Sequence, residues 1–298
     1  MNNHIAIIGA GRIGKALSGV ITSSGNEVRL WDKKEGAVPN QRNISEIING
    51  ADAIFLCVPS AGLREACALV KEYAERNTFI ISLTKGIERG TGKTADVIIG
   101  EFFSKKQFGI LGGPLLAEEL ERDFAGAGVL GCGNEKIFLT ARELFGNSRI
   151  NLIRLKDVHG VALSGVLKNV YSLAFGVADG LGWGDNAKGW LLSKAIGEIP
   201  AMVKMLGGKA ETALGAAGLG DLAACGFSGY SHNRQAGEDV LLDGVFDEQT
   251  EGVVSAPSVF SLIGRNVERF EILSALREII ENKRDPKDVF QDMFKRGK

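Results

Sequence analysis

The stretch His4-Ile5-Ala6-Ile7-Ile8-Gly9-Ala10-Gly11-Arg12-Ile13-Gly14 decides the fold. A short apolar run leads directly into a GxGxxG sequence, and the residues from Gly11 to Ser24 then carry helical period, so the pattern reads strand, tight turn, helix. Gly9 permits the turn, Gly11 lets the backbone approach a pyrophosphate at the positive end of the helix, and Gly14 allows close packing of helix on strand. Asp32 ends the second apolar run, 18 positions after Gly14, where a carboxylate can accept from a ribose hydroxyl. These features predict a dinucleotide site containing Gly9, Gly11, Arg12, Ile13, Gly14, Asp32 and Lys33. Arg12, Lys33 and Lys34 would suit the 2′-phosphate of NADP as well as Asp32 suits NAD, so both cofactors stay open.

Working outward, His4–Ile8, Glu27–Trp31, Ala53–Val58, Phe79–Ser82 and Gln107–Leu111 read as strands, with Gly11–Ser24, Leu63–Glu75 and Thr94–Phe103 as helices between them. Gly126–Cys132 and Ile150–Leu155 extend the sheet around a helix at Glu135–Leu144. Strands alternating with crossover helices imply an α/β, doubly wound, mostly parallel sheet of Rossmann type. After Lys156 the strand signals stop. Val158–Gly180, Asn186–Leu206, Asn233–Leu242, Gly252–Ile263, Ile272–Asn282 and Pro286–Phe294 all read as helices, the last with Asp285 as N-cap. The expected domains are therefore 1–156, binding the dinucleotide, and 157–298, all-helical.

Composition bounds the function. Thirty-five basic and 36 acidic side chains give a net charge of −1, which excludes a general nucleic-acid or anionic-membrane binder. The longest uncharged run, Gly252–Gly264, has 13 residues, short of the roughly 18 to 20 that cross a bilayer. No signal peptide is read, and the expected compartment is the cytoplasm. Cys57, Cys67, Cys132 and Cys225 have no CxxC spacing and His4, His159 and His232 are far apart, so no metal site is expected; the cysteines read as buried hydrophobes. Gly90-Thr91-Gly92-Lys93-Thr94 resembles the end of a P-loop, but Ile87 stands where that pattern needs glycine.

Two lysines could carry chemistry. Lys85, in Ser82-Leu83-Thr84-Lys85-Gly86, follows the fourth strand at the end where open α/β sheets bind ligands. Lys168 lies in a helix whose apolar residues, from Val158 to Val177, cover nearly its whole circumference. Burial lowers a lysine's pKa and suits it to proton transfer, whereas a lysine that snorkels to the surface needs no such role; spacing alone leaves both open. Gly218-Leu219-Gly220-Asp221-Leu222 and Ser231-His232-Asn233-Arg234 are turns that could open helices toward an anion, with Asp221 or Ser231 otherwise serving as N-caps.

In order along the chain, GAGRIGKAL, VRLWD, VPSAGLR, LTKGIE, GGPLLAEE, LKNVYSLAFGVADGLGWGDNAKG, GLGDLAAC, SHNR and TEGVVSAPSV resemble the NAD(P)-dependent glycerol-3-phosphate dehydrogenase family from residue 5 to about residue 260. The resemblance implies a cytoplasmic enzyme, a possible homodimer, that transfers hydride from NADH or NADPH to dihydroxyacetone phosphate without a metal, at a cleft between its two domains. Lys168 would transfer the proton and Lys85 would meet both cofactor and substrate. Gly113, Leu115, Asp221, Ser231, His232 and Asn233 would line the substrate pocket, and Ala117 and Glu251 would face the cofactor. The sequence departs from the family at His232, where arginine is usual, at Leu115-Leu116 after the Gly-Pro turn, and in a shorter segment from Lys33 to Ile47. A dehydrogenase acting on another small hydroxy or keto acid, and a non-catalytic dinucleotide-binding protein, are the alternatives.

Overall fold

The computed structural model describes residues 3–296. The chain divides into two compact units, one comprising the residues up to Thr84 with Ala95–Ala162, the other Lys85–Thr94 with Leu163 onward.

The first unit is built on seven strands: β1 (His4–Ile8), β2 (Glu27–Trp31), β3 (Ala53–Leu56), β4 (Phe79–Ser82), β5 (Phe108–Gly112), β6 (Gly126–Cys132) and β7 (Ile150–Leu155). Their order is β2-β1-β3-β4-β5-β6-β7, and each neighbouring pair is parallel except β5 with β6. Strand β1 thus lies where the order reverses, the point at which such sheets bind ligands. Ile5–Ile8 and Ala53–Leu56 are fully buried, because helices cover both faces of a parallel sheet and its strands are continuously apolar rather than alternating. Around the sheet run α1 (Arg12–Ser23), α2 (Ile44–Ile48), α3 (Ser60–Tyr73), α4 (Ala95–Phe102), α5 (Ala117–Leu120) and α6 (Glu135–Leu144). Leu17 and Ile21 of α1 join Ile5, Ile7 and Phe55 in one core. Helices α2 and α5 span barely one turn, too short to show a period.

The helical unit contains most of α7 (Val158–Gly180), then α8 (Asp185–Met205), α9 (Ala210–Leu214), a π-helical turn at Ala216–Gly220, α10 (Asp221–Phe227), α11 (His232–Asp243), α12 (Glu251–Ile263), a 3-10 turn at Gly264–Arg269, α13 (Glu271–Ile280) and α14 (Pro286–Arg296). Helix α7 is long and apolar enough to match a bilayer, but the protein itself buries it. Tyr171 and Phe175 of α7 sit fully buried at the centre of this unit's core. The crossing of α7 and α11 depends on two glycines: a Cβ on Gly176 would lie 1.8 Å from the Arg234 carbonyl oxygen, and one on Gly237 would lie 2.0 Å from that of Leu173.

The first unit runs to Ala162, into the first turn of α7, and this has a packing cause. Val158 and Val161, in the first turn of α7, fit against the bare backbone of Gly112 and Gly131 in the sheet. Residues Lys85–Thr94 belong to the helical unit, where Ile87 enters the core and donates its N–H to Ser255 Oγ at 3.2 Å.

Candidate active site

In the first unit the glycine turn has the shape its spacing predicts. Gly9 has φ +106°, and a Cβ there would sit 2.4 Å from the Cys57 carbonyl oxygen. A Cβ on Gly14 would fall 1.9 Å from the Gly9 oxygen, while the space beside Gly11 is open. A cavity of about 330 Å³ adjoins this turn, lined among others by Gly9, Gly11, Asp32, Val58 and Gly62. Asp32 is held in place by backbone donors: Oδ2 accepts from Ala10 N–H at 2.7 Å and Oδ1 from Lys34 N–H at 2.8 Å. The open backbone, the helix N-terminus of α1 and an oriented carboxylate fit the pyrophosphate and ribose of a dinucleotide.

Two of the three cations read as 2′-phosphate partners, Arg12 and Lys33, are already engaged. Arg12 pairs with Glu118 at 2.6 Å and Lys33 with Glu65 at 2.8 Å. Ile13, Leu115 and Ala117 are half-buried and pack on the sheet's core. Gly113 takes φ +93°, and a Cβ there would meet the Ala127 carbonyl oxygen at 2.4 Å, so the Gly-Pro turn admits no other residue.

The helical unit brings together Lys85, Lys168 and Asp221. Asp221 is 1% exposed; its Oδ2 accepts from Lys85 Nζ at 2.6 Å, and its Oδ1 lies 3.3 Å from Lys168 Nζ. Lys168, 5% exposed, also donates to Cys225 Sγ at 3.0 Å. The reading of Asp221 as an N-cap is corrected: the π-helical turn runs directly into α10 and puts Asp221 inside the helix, which frees its carboxylate to face the lysines. Ser231 does cap α11, accepting from Arg234 N–H.

The expected effect of burial on Lys168 also needs correcting. Desolvation pushes its pKa down, but the carboxylate of Asp221 and then Cys225 outweigh it and hold the ammonium above the ordinary lysine range. For Lys85 desolvation prevails over the attraction of Asp221, with the charge of Lys168 adding to it, and the pKa falls. Burial likewise opposes ionisation of Asp221, yet Lys168 and Lys85 keep it below the usual carboxylate range. Two cations and one anion leave one positive charge in excess.

A chain of amides fixes the cluster. Asn169 Nδ2 donates to the Lys85 carbonyl oxygen at 2.6 Å, Asn233 Nδ2 donates to Asn169 Oδ1 at 3.0 Å, and Gly252 N–H donates to Asn233 Oδ1 at 2.7 Å. Asn233, expected to line the substrate pocket, thus ties α7, α11 and α12 together, and Glu251 opens α12 one residue before Gly252. Asn169 and Cys225 are the participants sequence reading passed over. Asn169 carried a signal as the neighbour of a buried lysine; Cys225 carried one only through its i, i+4 spacing from Asp221. His232 is exposed at the start of α11. Arg234 is engaged by Asp179 at 2.6 Å, Glu238 at 3.0 Å and the Ser228 carbonyl oxygen at 2.9 Å. Among the described residues no group of three or more His, Cys, Asp or Glu could hold a metal ion.

Glycines shaped for a pyrophosphate and a buried lysine paired with a carboxylate, in one chain, are what nicotinamide-dependent dehydrogenases require, and that is the class of this protein. Comparison with known proteins narrows it. Residues 35–138 match the N-terminal part, and residues 157–291 the C-terminal part, of NAD-dependent glycerol-3-phosphate dehydrogenase. A glycerol-3-phosphate dehydrogenase of NAD(P)+ type from Agathobacter rectalis is 30% identical over 325 residues, covering 99% of this chain and 97% of its own. Another from Clostridium perfringens is 32% identical over 257 residues, covering 79% and 78%. The crystal structure of glycerol-3-phosphate dehydrogenase from Coxiella burnetii superposes with a TM-score of 0.88 at 26% identity, covering 98% of this chain and 99% of that one. The chain belongs to the NAD(P)-dependent glycerol-3-phosphate dehydrogenase family.

Proposed function

We propose that the protein interconverts dihydroxyacetone phosphate and sn-glycerol 3-phosphate, the reaction of the family to which it belongs. The observation that carries this reading is the convergence of Lys85 and Lys168 on Asp221, which leaves a buried positive charge suited to an anionic substrate and to the alkoxide formed at its carbonyl. When bound, the nicotinamide supplies or accepts the hydride. Lys168 donates a proton from Nζ to the substrate oxygen during reduction and takes it back during oxidation, and its raised pKa keeps it protonated at neutral pH. Lys85 holds negative charge on the substrate. Asp221 orients both ammonium groups, and Asn169 and Asn233 keep the backbone at Lys85 in place.

Gly9, Gly11 and Gly14 would receive the pyrophosphate and Asp32 the adenosine ribose. Because Arg12 and Lys33 each already hold a carboxylate, the site favours NAD over NADP. The reading carries with it the expectation of a cytoplasmic homodimer supplying glycerophospholipid synthesis; light scattering on the purified protein checks the oligomeric state. One observation favours a different keto substrate: His232 stands where the family's arginine is usual, and Arg234 is engaged elsewhere.

Oxidation of NADH and of NADPH with dihydroxyacetone phosphate, beside unphosphorylated dihydroxyacetone and ketopantoate, tests the proposal. Rapid turnover confined to the phosphorylated ketone is expected. Turnover with ketopantoate alone would assign the protein another substrate, and binding of dinucleotide without any turnover would remove it from catalysis.

A further inference from the structure

We propose that Cys225 is a positioning residue, its thiol fixing the direction in which Lys168 delivers its proton; the role in turnover rests on the reading above. Cys225 lies one helical turn beyond Asp221 on α10, so the two side chains share a face. Its sulfur accepts from Lys168 Nζ at 3.0 Å, and its S–H points to Asp221 Oδ1 at 3.5 Å. Lys168 Nζ is itself 3.3 Å from that oxygen. The three atoms form a closed triangle, and Cys225 is 3% exposed, so no solvent competes at this corner.

An ammonium group has three protons. Asp221 and Cys225 engage two of them, which leaves the third with one direction for the substrate oxygen. Burial pushes the Cys225 thiol up, against the pull of Lys168, so the sulfur stays neutral and Lys168 keeps a single counter-ion. A thiol is a weak acceptor, so it sets the orientation of the ammonium while adding less than Asp221 to the hold on its proton. Cys225, read in the sequence as an inert hydrophobe, thus takes part in the site through Lys168.

The test compares wild type, Cys225→Ala and Cys225→Ser. Alanine leaves one buried N–H facing a methyl group, so kcat for reduction should fall about tenfold or more, with KM changed less than about threefold. The alkaline limb of the pH profile should move to lower pH. Serine, which restores an acceptor, should recover most of both. In 15N-lysine spectra of the free protein, the Lys168 ammonium resonance should shift and exchange faster with solvent in Cys225→Ala. This readout needs no turnover: a wild type inactive on dihydroxyacetone phosphate would sink the functional reading while the spectra still decide the role of Cys225. An alanine variant whose pH profile and Lys168 resonance match wild type, whatever its kcat, would show that the sulfur only fills space and overturn the proposal. Should the alanine variant not fold, Cys225→Val, which also lacks an acceptor but fills more of the space, decides by the same spectra: a Lys168 resonance that shifts and exchanges faster supports the proposal, and one that matches wild type overturns it.

Discussion

Lys85 donates to Asp221 across 2.6 Å although the two residues are 136 positions apart in the chain. The same carboxylate also answers Lys168, 53 positions before it, so one acidic side chain pairs with two ammonium groups, one buried and one part-buried, from separate parts of the sequence.

Asp221→Asn keeps the shape and removes the charge, leaving two cations facing each other. A stability loss of about 3–5 kcal/mol is expected, read from urea unfolding, with kcat at least about 100-fold lower. Lys168→Met leaves Asp221 paired with Lys85, so it should cost less stability while lowering turnover about 10²- to 10⁴-fold. Full activity in Lys168→Met would refute its assignment as the proton donor.

The pKa directions give signed pH effects. Lys168 is raised in the fold, so its contribution to stability is complete below the unfolded lysine pKa and is lost as pH rises through the folded one; Asp221 is lowered, so its contribution is present above the ordinary aspartate pKa and is lost on acidification through the folded value. Reduction should therefore hold its rate through neutral pH, whereas oxidation, which needs Lys168 neutral, should accelerate as pH rises into the alkaline range. Steady-state rates in both directions test this.

Glu198 behaves in the opposite sense. Burial raises its pKa, against its hydrogen bonds from Tyr171 and the N-terminal backbone of α13. The native state then holds its proton more tightly than the unfolded chain, so stability should decline as pH climbs from the ordinary glutamate value through the raised one. Denaturation midpoints across mildly acidic pH should show that slope in wild type and lose it in Glu198→Gln.

Glycines on two helices make a matched pair of tests. Gly237→Ala would press a methyl group to 2.0 Å from the Leu173 carbonyl oxygen and force α7 from α11, costing about 1–3 kcal/mol and lowering kcat because Lys168 and Asn233 ride on those helices. Gly189 in α8 has nothing within 4 Å, so Gly189→Ala should stabilise by about 0.5–1 kcal/mol with activity unchanged. Thermal melts that rank the two variants alike would show that the helix crossing is not the cause.

Cofactor choice should follow the paired cations. Wild type should prefer NADH, and the double variant Glu65→Gln with Glu118→Gln, which releases Lys33 and Arg12, should lower KM for NADPH several-fold while leaving that for NADH within about twofold. An unchanged ratio would place selection elsewhere than at Lys33 and Arg12.

The sheet was nearly all legible because parallel strands buried on both faces are unbroken apolar runs: β1, β2, β4, β6 and β7 begin and end at the residues the sequence predicts. The long helices were legible from their period. What escaped was local geometry: α2 and α5 are too short for periodicity, and Gly218-Leu219-Gly220 reads as a turn when it is the π-helical lead-in that rotates Asp221 toward the lysines. Lys85 and Lys168 could be named from position and burial, but the upward shift of Lys168 depends on Asp221, a contact between distant segments that no spacing rule reveals. Asn233 was named through the family resemblance; that its side-chain amide also braces α7 and α12 could not be read from the sequence.

The ten residues Lys85–Thr94 are threaded out of one unit and into the other before the chain returns at Ala95. The helical unit is therefore not a cassette that a single cut or a single recombination event could transfer. A fragment starting at residue 157 would lack Ile87 from its core and Lys85 from its carboxylate, and a complementing peptide would have to supply both. During synthesis those ten residues emerge long before the helices that receive them, so the nascent chain must hold them in waiting until α12 has been made.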